Sequence, residues 1–440
     1  MEFENIASSS ELPSYSPSTP SPSYSCELAC GERLLEQTPR TRSSRPASTS
    51  LFIKKAGKTT IVLNEQEDGA TIPRYGRQGI ISGSVFLENT ENIVDVTIKV
   101  KGKMDLTISE AGGESIKLIE DTYTLWSQAS STPRTERPTC PSQIAFSAIL
   151  PTTFTADGKQ IPLPPSYSVN HYAVPSLFVR CSYTLHLVIT QTRYKKMDIW
   201  PKTKQIMVPF NYVPRTRAHR PIIPSPCFFS SVKTSPEEWY QAVTPLKMRP
   251  NVQLEPIYCH LFVPGARIYG LKDTIPFHVQ LSGNVCALRE IFSVQLDRVL
   301  SVDSYNTVAS KKSPADKPLL KVSLLRQVSV TMKGLKSFKN TIIGEGSIWP
   351  IPPDLSACTL GTCREGHVDW EGELRCSEDI TAGGFDASSV HVKDFISLTL
   401  SPPTPQSSLL ALQITVPIRL VTDSCDVSGF DLAVPTGGDT

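Results

Sequence analysis

Three groups of residues in this 440-residue chain have types and spacings that could do chemistry. Cys358, Cys363, His367 and Cys376 offer soft thiolates and an imidazole, a donor set that suits tetrahedral zinc. Their intervals of four, three and eight residues match none of the two-residue knuckles that mark such sites. Zinc is therefore an alternative reading, and the expectation is no metal and no cofactor. The second group pairs proline with tyrosine: Leu12-Pro13-Ser14-Tyr15, Ser21-Pro22-Ser23-Tyr24 and Pro164-Pro165-Ser166-Tyr167. Proline presets an extended backbone and tyrosine fills a second pocket, which is what the aromatic groove of a WW domain reads. Leu12, Pro13, Tyr15, Pro22 and Tyr24 lie in an open polar stretch that favours ligand use. Pro164, Pro165 and Tyr167 match most strictly, but they stand between strand-like segments, where prolines turn the chain. Arg215, Arg217, His219 and Arg220 form the third group, a cationic cluster suited to anionic lipid, to acidic or phosphorylated tails, or to plain solvation. No nucleophile elbow, phosphate loop or paired-histidine helix occurs, so no catalytic residue is expected.

The elements that carry these residues read as strands. Ile81, Gly83, Val85 and Leu87 alternate, and so do Val94, Val96, Ile98 and Val100 with Asp95, Thr97, Lys99 and Lys101 between them. The pattern returns in Cys181 to Ile189, Ile206 to Tyr212, Ile275 to Leu281, Leu320 to Leu324, Val328 to Met332 and Leu410 to Leu420. Pro417 interrupts the last run, and its missing N–H must point off an edge or into a bulge. Ser235-Pro236-Glu237-Glu238 is the clearest helix start, with serine as cap, proline in the first turn and Glu238 closing a capping box.

Composition bounds the organisation. The chain has 37 prolines against 24 glycines, which disfavours helical bundles and collagen alike. Its 44 basic and 42 acidic residues leave a formal charge of +2, too balanced for a dedicated nucleic-acid surface. Met1 to Asn5 carry acids and no apolar run, and the 11 cysteines are an odd, scattered set, so a cytoplasmic protein with reduced thiols is expected. The expected class is all-β, with two immunoglobulin-like β-sandwiches in tandem, because one-sided sheets must stack to hide their apolar faces. A disordered Ser/Pro-rich tail over residues 1–48 precedes a sandwich over 49–213. A basic hinge at 214–221 leads to a second sandwich over 222–425 and a short polar tail at 426–440.

The chain resembles the fungal alpha-arrestin type of arrestin-like protein over residues 51–425. The likeness rests on Gly79 to Val85, the strand to Lys101-Gly102, Phe146 to Pro151, Leu163-Pro164-Pro165-Ser166-Tyr167 and Phe210-Asn211-Tyr212. It continues through Pro214 to Arg217, Glu238-Trp239-Tyr240, Trp370 to Glu373, Gly383-Gly384-Phe385, Val392 to Ile396 and Pro417 to Asp423. The resemblance implies two arrestin-like sandwiches and a non-catalytic adaptor. Such an adaptor binds transporters or receptors, recruits a WW-domain HECT-class ubiquitin ligase through proline-tyrosine motifs, and so promotes endocytosis from the plasma membrane or endosomes. Many members carry those motifs in a long C-terminal tail. Few residues follow Asp423, so recruitment falls to Leu12, Pro13 and Tyr15, helped by Tyr24. A scaffold subunit of an endosomal sorting coat, needing no such motif, is the alternative.

Overall fold

The computed structural model describes residues 50–128, 139–195, 198–223, 228–250, 255–288, 319–351, 365–402 and 407–425. The expected tails, with Leu12, Pro13, Tyr15, Pro22 and Tyr24, lie outside these residues, as do Cys358 and Cys363. The described residues belong to one compact unit.

They are overwhelmingly strand, as the all-β class requires. In chain order the first half holds β1 (Ser50–Ala56), β2 (Thr59–Gln66), β3 (Arg74–Tyr75), β4 (Ile80–Leu87), β5 (Ile93–Ile108) and β6 (Gly112–Ser127). It continues with β7 (Gln143–Ile149), β8 (Thr153–Ala156), β9 (Lys159–Pro162), β10 (Tyr167–His171), β11 (Leu177–Lys195) and β12 (Asp198–Tyr212). After helix α1 (Phe228–Thr234) come β13 (Trp239–Pro245), β14 (Tyr258–Pro264), β15 (Ile268–Gly270), β16 (Ile275–Asn284) and β17 (Leu320–Met332). The series ends with β18 (Leu335–Ile351), β19 (Glu365–Leu374), β20 (Phe385–Asp386), β21 (Val390–Leu400) and β22 (Leu412–Val421). The strand orders are β1-β2-β4-β7 in one sheet and β3-β12-β11-β5-β6 in a second, with β10 also on β11. The second half forms one long sheet, β13-β14-β16-β19-β18-β17-β21-β22-β15, with β20 on β21.

Period-2 alternation explains most of this. β4 buries Ile81, Gly83, Val85 and Leu87 and turns Ile80 and Phe86 outward. β5 departs from expectation at one end, where Ile93 is buried and Val94 only half-buried. In the pairing with β11 the register runs from Thr190 opposite Asp95 to Gln191 opposite Ile93, so Val94 is the extra residue of a bulge, which shifts the alternation by one. Pro417 is exposed on β22. Two residues on, the Arg419 N–H donates to Arg267 O at 2.8 Å, just where β15 begins. Amides two apart face the same side, so the absent Pro417 N–H falls beyond the end of β15.

The expected helix is corrected. Pro236–Glu238 form only a 3-10 turn, the Ser235 side chain makes no capping bond, and the chain passes directly into β13. The helix lies upstream at Phe228–Thr234, where the capping pattern gave no cue.

Two cores form, and they are not divided at the linker. Strand β17 places Leu320, Val322 and Leu324 in the second core and Val328, Val330 and Met332 in the first. Its partner β21 does the same, with Ile396, Leu398 and Leu400 in the second core and Val390 and Val392 in the first.

Candidate functional site

Where β17 and β21 pass from one core to the other, each carries a charge. Arg326 lies opposite Asp394 in the strand register. Its Nε donates to Oδ1 at 2.7 Å and its Nη2 to Oδ2 at 3.2 Å, a bidentate fork. The side chains are 4% and 1% exposed. Burial opposes the guanidinium charge, but the Asp394 carboxylate outweighs it and holds the Arg326 pKa above its ordinary value. Tyr167, from the first half, packs against this pair and meets Phe385 edge-on at 5.3 Å. Burial pushes its phenol up to about 12.

This position settles the use of the strict Pro-Pro-x-Tyr segment. Pro164 and Pro165 are buried and Tyr167 half-buried. The Tyr183 hydroxyl donates to the Pro164 carbonyl, and the Ser166 hydroxyl accepts from the Tyr212 N–H at 2.8 Å. Folded in this way, Pro164 and Pro165 are buried within the first half, Tyr167 alone reaches across to Phe385 and the Arg326–Asp394 pair, and the segment is not displayed as a WW ligand. Gly102 belongs to the same packing, because a Cβ there would lie 2.7 Å from the Tyr183 ring.

A second constellation is made by hairpin tips from both halves. Ser109, after β5, and Ser176, before β11, share hydroxyls at 2.7 Å, and the Ser176 N–H donates to Ser109 Oγ at 2.6 Å. From the turn between β17 and β18, Lys333 Nζ reaches the Ala111 carbonyl at 3.1 Å. Gly112 and Gly334 both have φ near +80°, which a left-handed turn requires. On this braced base the β10–β11 loop leaves Tyr172 84% and Val174 91% exposed, with Leu335 44% exposed on β18. Single exposed apolar residues are ordinary, but a tyrosine and a valine held outward on one loop make a contact point for an apolar surface.

The basic linker is tied down more firmly than a solvated hinge. Arg215 grips the Asp423 carboxylate through Nε at 3.0 Å and Nη2 at 2.7 Å. The Thr216 N–H donates to Thr422 Oγ1, which donates in turn to Thr216 O, both at 2.8 Å. Arg217 forms a parallel bridge with Asp423, and the Ala218 N–H donates to the Asp423 carbonyl at 3.1 Å. The Arg215 hydrogen bond holds the Asp423 carboxyl below its usual range. The Arg215 charge is thus largely neutralised within the chain, while Arg217 and Arg220 are exposed.

Of the zinc candidates, His367 and Cys376 are described, and they have different neighbours. His367 Nδ1 contacts the Asp369 carboxylate, whose other oxygen accepts from His278 at 2.8 Å and from Gln280 at 2.9 Å. Phe228 of α1 stacks on the His278 ring at 3.7 Å, and His278 Nδ1 is buried with no hydrogen-bond partner among the described residues, the Glu371 carboxylate lying 3.9 Å from it. Cys376 lies instead beside Arg326 and Asp394, with burial pushing its thiol up to about 11. Burial also raises Cys181 and Cys259 to about 12, which disfavours the thiolates that a metal or a nucleophilic step needs.

Sequence reasoning did not single out Arg326, Asp394, Tyr172, Val174 or the His278–Asp369 pair. Arg326 and Asp394 did carry a signal, since each is a charge in the apolar phase of an alternating strand. Tyr172 and Val174 carried none, because exposure at a loop tip leaves no periodicity. No family model and no curated protein matches the chain.

Proposed function

We propose that the chain is a non-catalytic, arrestin-like trafficking adaptor. Its folded unit engages a membrane transporter or receptor, and its N-terminal Leu12-Pro13-Ser14-Tyr15 segment recruits a WW-domain ubiquitin ligase. The observation that carries the reading is the braced set of hairpin tips. Tyr172 and Val174, on a loop, and Leu335, at the start of β18, are presented from both halves of an all-β scaffold, at strand ends where binding residues concentrate. The resemblance supplies the ligase, and the described residues offer no competing proline-tyrosine ligand once Pro164, Pro165 and Tyr167 are buried. In this role the protein raises the local concentration of ligase near a cargo lysine and makes no bond itself.

The test pairs two measurements. A peptide of residues 8–28 is expected to bind WW domains and to lose binding on Tyr15→Ala. Intact protein is expected to co-purify a ligase and a transporter, whereas a chain starting at residue 49 retains only the transporter. If the unmutated peptide does not bind, tail-mediated recruitment is wrong. Retention of coat subunits in place of a ligase would then favour the sorting-coat scaffold.

A further inference from the structure

The outward face of the sheet built from β11, β5 and β6 carries a concentration of positive charge. Lys99, Lys101 and Lys103 occupy alternate positions of β5 and so share one face. Register places them opposite His186, Thr184 and Ser182 on β11, and opposite Thr122, Glu120 and Lys117 on β6. One row further, Asp105 lies between Arg180 and Ser115. Over these four rows five cations face two carboxylates, and both carboxylates are already engaged. Lys103 reaches Asp105 at 2.8 Å, while Lys117 and Lys101 reach Glu120 at 2.5 and 3.9 Å. Three titrating groups register the resulting field. Burial alone would raise Asp105, yet Lys103, Ser115 and Arg180 bring it below its ordinary value. Lys117 lowers Glu120, with Lys101 and Lys99 adding to the effect. His186 is lowered by burial and then by Lys101 and Lys99.

We infer that this face, led by Lys99, Lys101 and Lys103 with Arg180 beside them, docks on an anionic lipid bilayer. The residues between the cations, Ser182, Thr184 and Thr122, are small and polar, and His186 is buried, so these rows supply no aromatic anchor for a folded partner; Met207, opposite His186 on β12, is an exposed apolar side chain at their border. Cations two apart on a strand repeat every ~6.7 Å, a close-spaced array that suits a dense sheet of headgroup charge, with a register shift on the β6 side between Gly102 and Lys103. The array also runs toward the apolar tip. Arg180 is three residues into β11, which begins where the loop bearing Tyr172 and Val174 ends. An aromatic and an aliphatic side chain beside a cationic face is the combination that settles at a membrane interface. This inference shares the Tyr172–Val174 tip with the adaptor reading, but its cationic face is argued from β5, β6 and β11 alone and requires neither ligase nor cargo.

Co-sedimentation of the full chain with vesicles tests it. Binding is expected to phosphatidylcholine mixed with phosphatidylserine and not to phosphatidylcholine alone, and it should weaken as salt is raised. Lys99→Ala should weaken binding about fivefold, and neutralising Lys99, Lys101 and Lys103 together roughly 100-fold. Replacing the same three by arginine should preserve it, as should Lys321→Ala on β17. The single Lys99→Ala variant keeps the test sound if the triple variant does not fold. Equal binding to neutral vesicles, or undiminished binding by a folded triple variant, overturns the inference. Tighter binding to soluble polyglutamate than to anionic vesicles assigns the face to an acidic protein and overturns it equally.

Discussion

Arg326 occupies a position where the alternation of β17 demands an apolar side chain, between Leu324 and Val328, and Asp394 does the same between Val392 and Ile396. Neither charge is tolerable alone in surroundings that leave it under a twentieth exposed; together, held by two hydrogen bonds, they are. Arg326→Met should therefore destabilise the protein by about 3–5 kcal/mol, because Asp394 is left buried and uncompensated. Adding Asp394→Leu should recover most of that loss, since a packed apolar pair replaces a desolvated ionic one at little net cost. A double-mutant cycle in urea checks both statements, and additive losses would contradict them. Residue by residue, the core was legible because apolar identity and period-2 spacing agree. The ion pair was half legible: each charge stood in the apolar phase of its strand, but nothing in the order of residues pairs position 326 with position 394. Gly372 acquires a physical reason only in three dimensions. A Cβ on Gly372 would lie 2.2 Å from Phe277 and 2.3 Å from the Ser347 carbonyl.

Among the elements, strands were legible and their connections were not. The capping pattern at Ser235 predicts a helix because serine, proline and glutamate favour that start. Pairing of Trp239 to Pro245 with β14 leaves room for only a 3-10 turn. The same override explains the linker. Proline and arginine between residues 213 and 221 read as an extended, solvated hinge, yet the segment is zipped to the exit of β22 through Thr216, Thr422 and Asp423. The partner that fixes this segment, Thr422, lies 206 positions away from Thr216. Thr422→Val removes both the acceptor for the Thr216 N–H and the donor to its carbonyl. Amide exchange across residues 214–218 should accelerate clearly, with a stability loss of about 0.5–1.5 kcal/mol. Arg215→Ala should cost less, about 0–1 kcal/mol, because that pair is screened by solvent on the arginine side. Hydrogen–deuterium exchange distinguishes the two, and unchanged exchange in the Thr422→Val variant would show that the latch does not hold the linker.

At the scale of the molecule, composition and strand texture suggested two sandwiches in series, and the all-β character holds, but the distribution of core residues changes what a half of this chain is. The first core includes Val328, Val330, Met332, Ala387, Val390 and Val392, all from beyond the linker. Tyr167 returns the connection by packing on Arg326 and Phe385. Strand periodicity could not show this, because Leu320 to Leu324 and Val328 to Met332 alternate in the same way whichever core each run enters. The consequence is energetic. A buried valine or methionine contributes about 1.5–3 kcal/mol, so the six residues together are worth on the order of 10 kcal/mol, comparable with the whole stability of a typical domain, about 5–15 kcal/mol. A fragment of residues 49–223, cut after the linker, should therefore bind a hydrophobic dye and unfold at much lower urea than the same residues in the full chain. The full chain should in turn unfold in one step, with Trp126 of the first half and Trp370 of the second reporting the same midpoint. Two separated transitions, or a fragment as resistant as the parent, would show that β17 and β21 touch the first core without supporting it. A single transition makes the shared strands the mechanical link through which contact at the exposed tip of one half reaches the other.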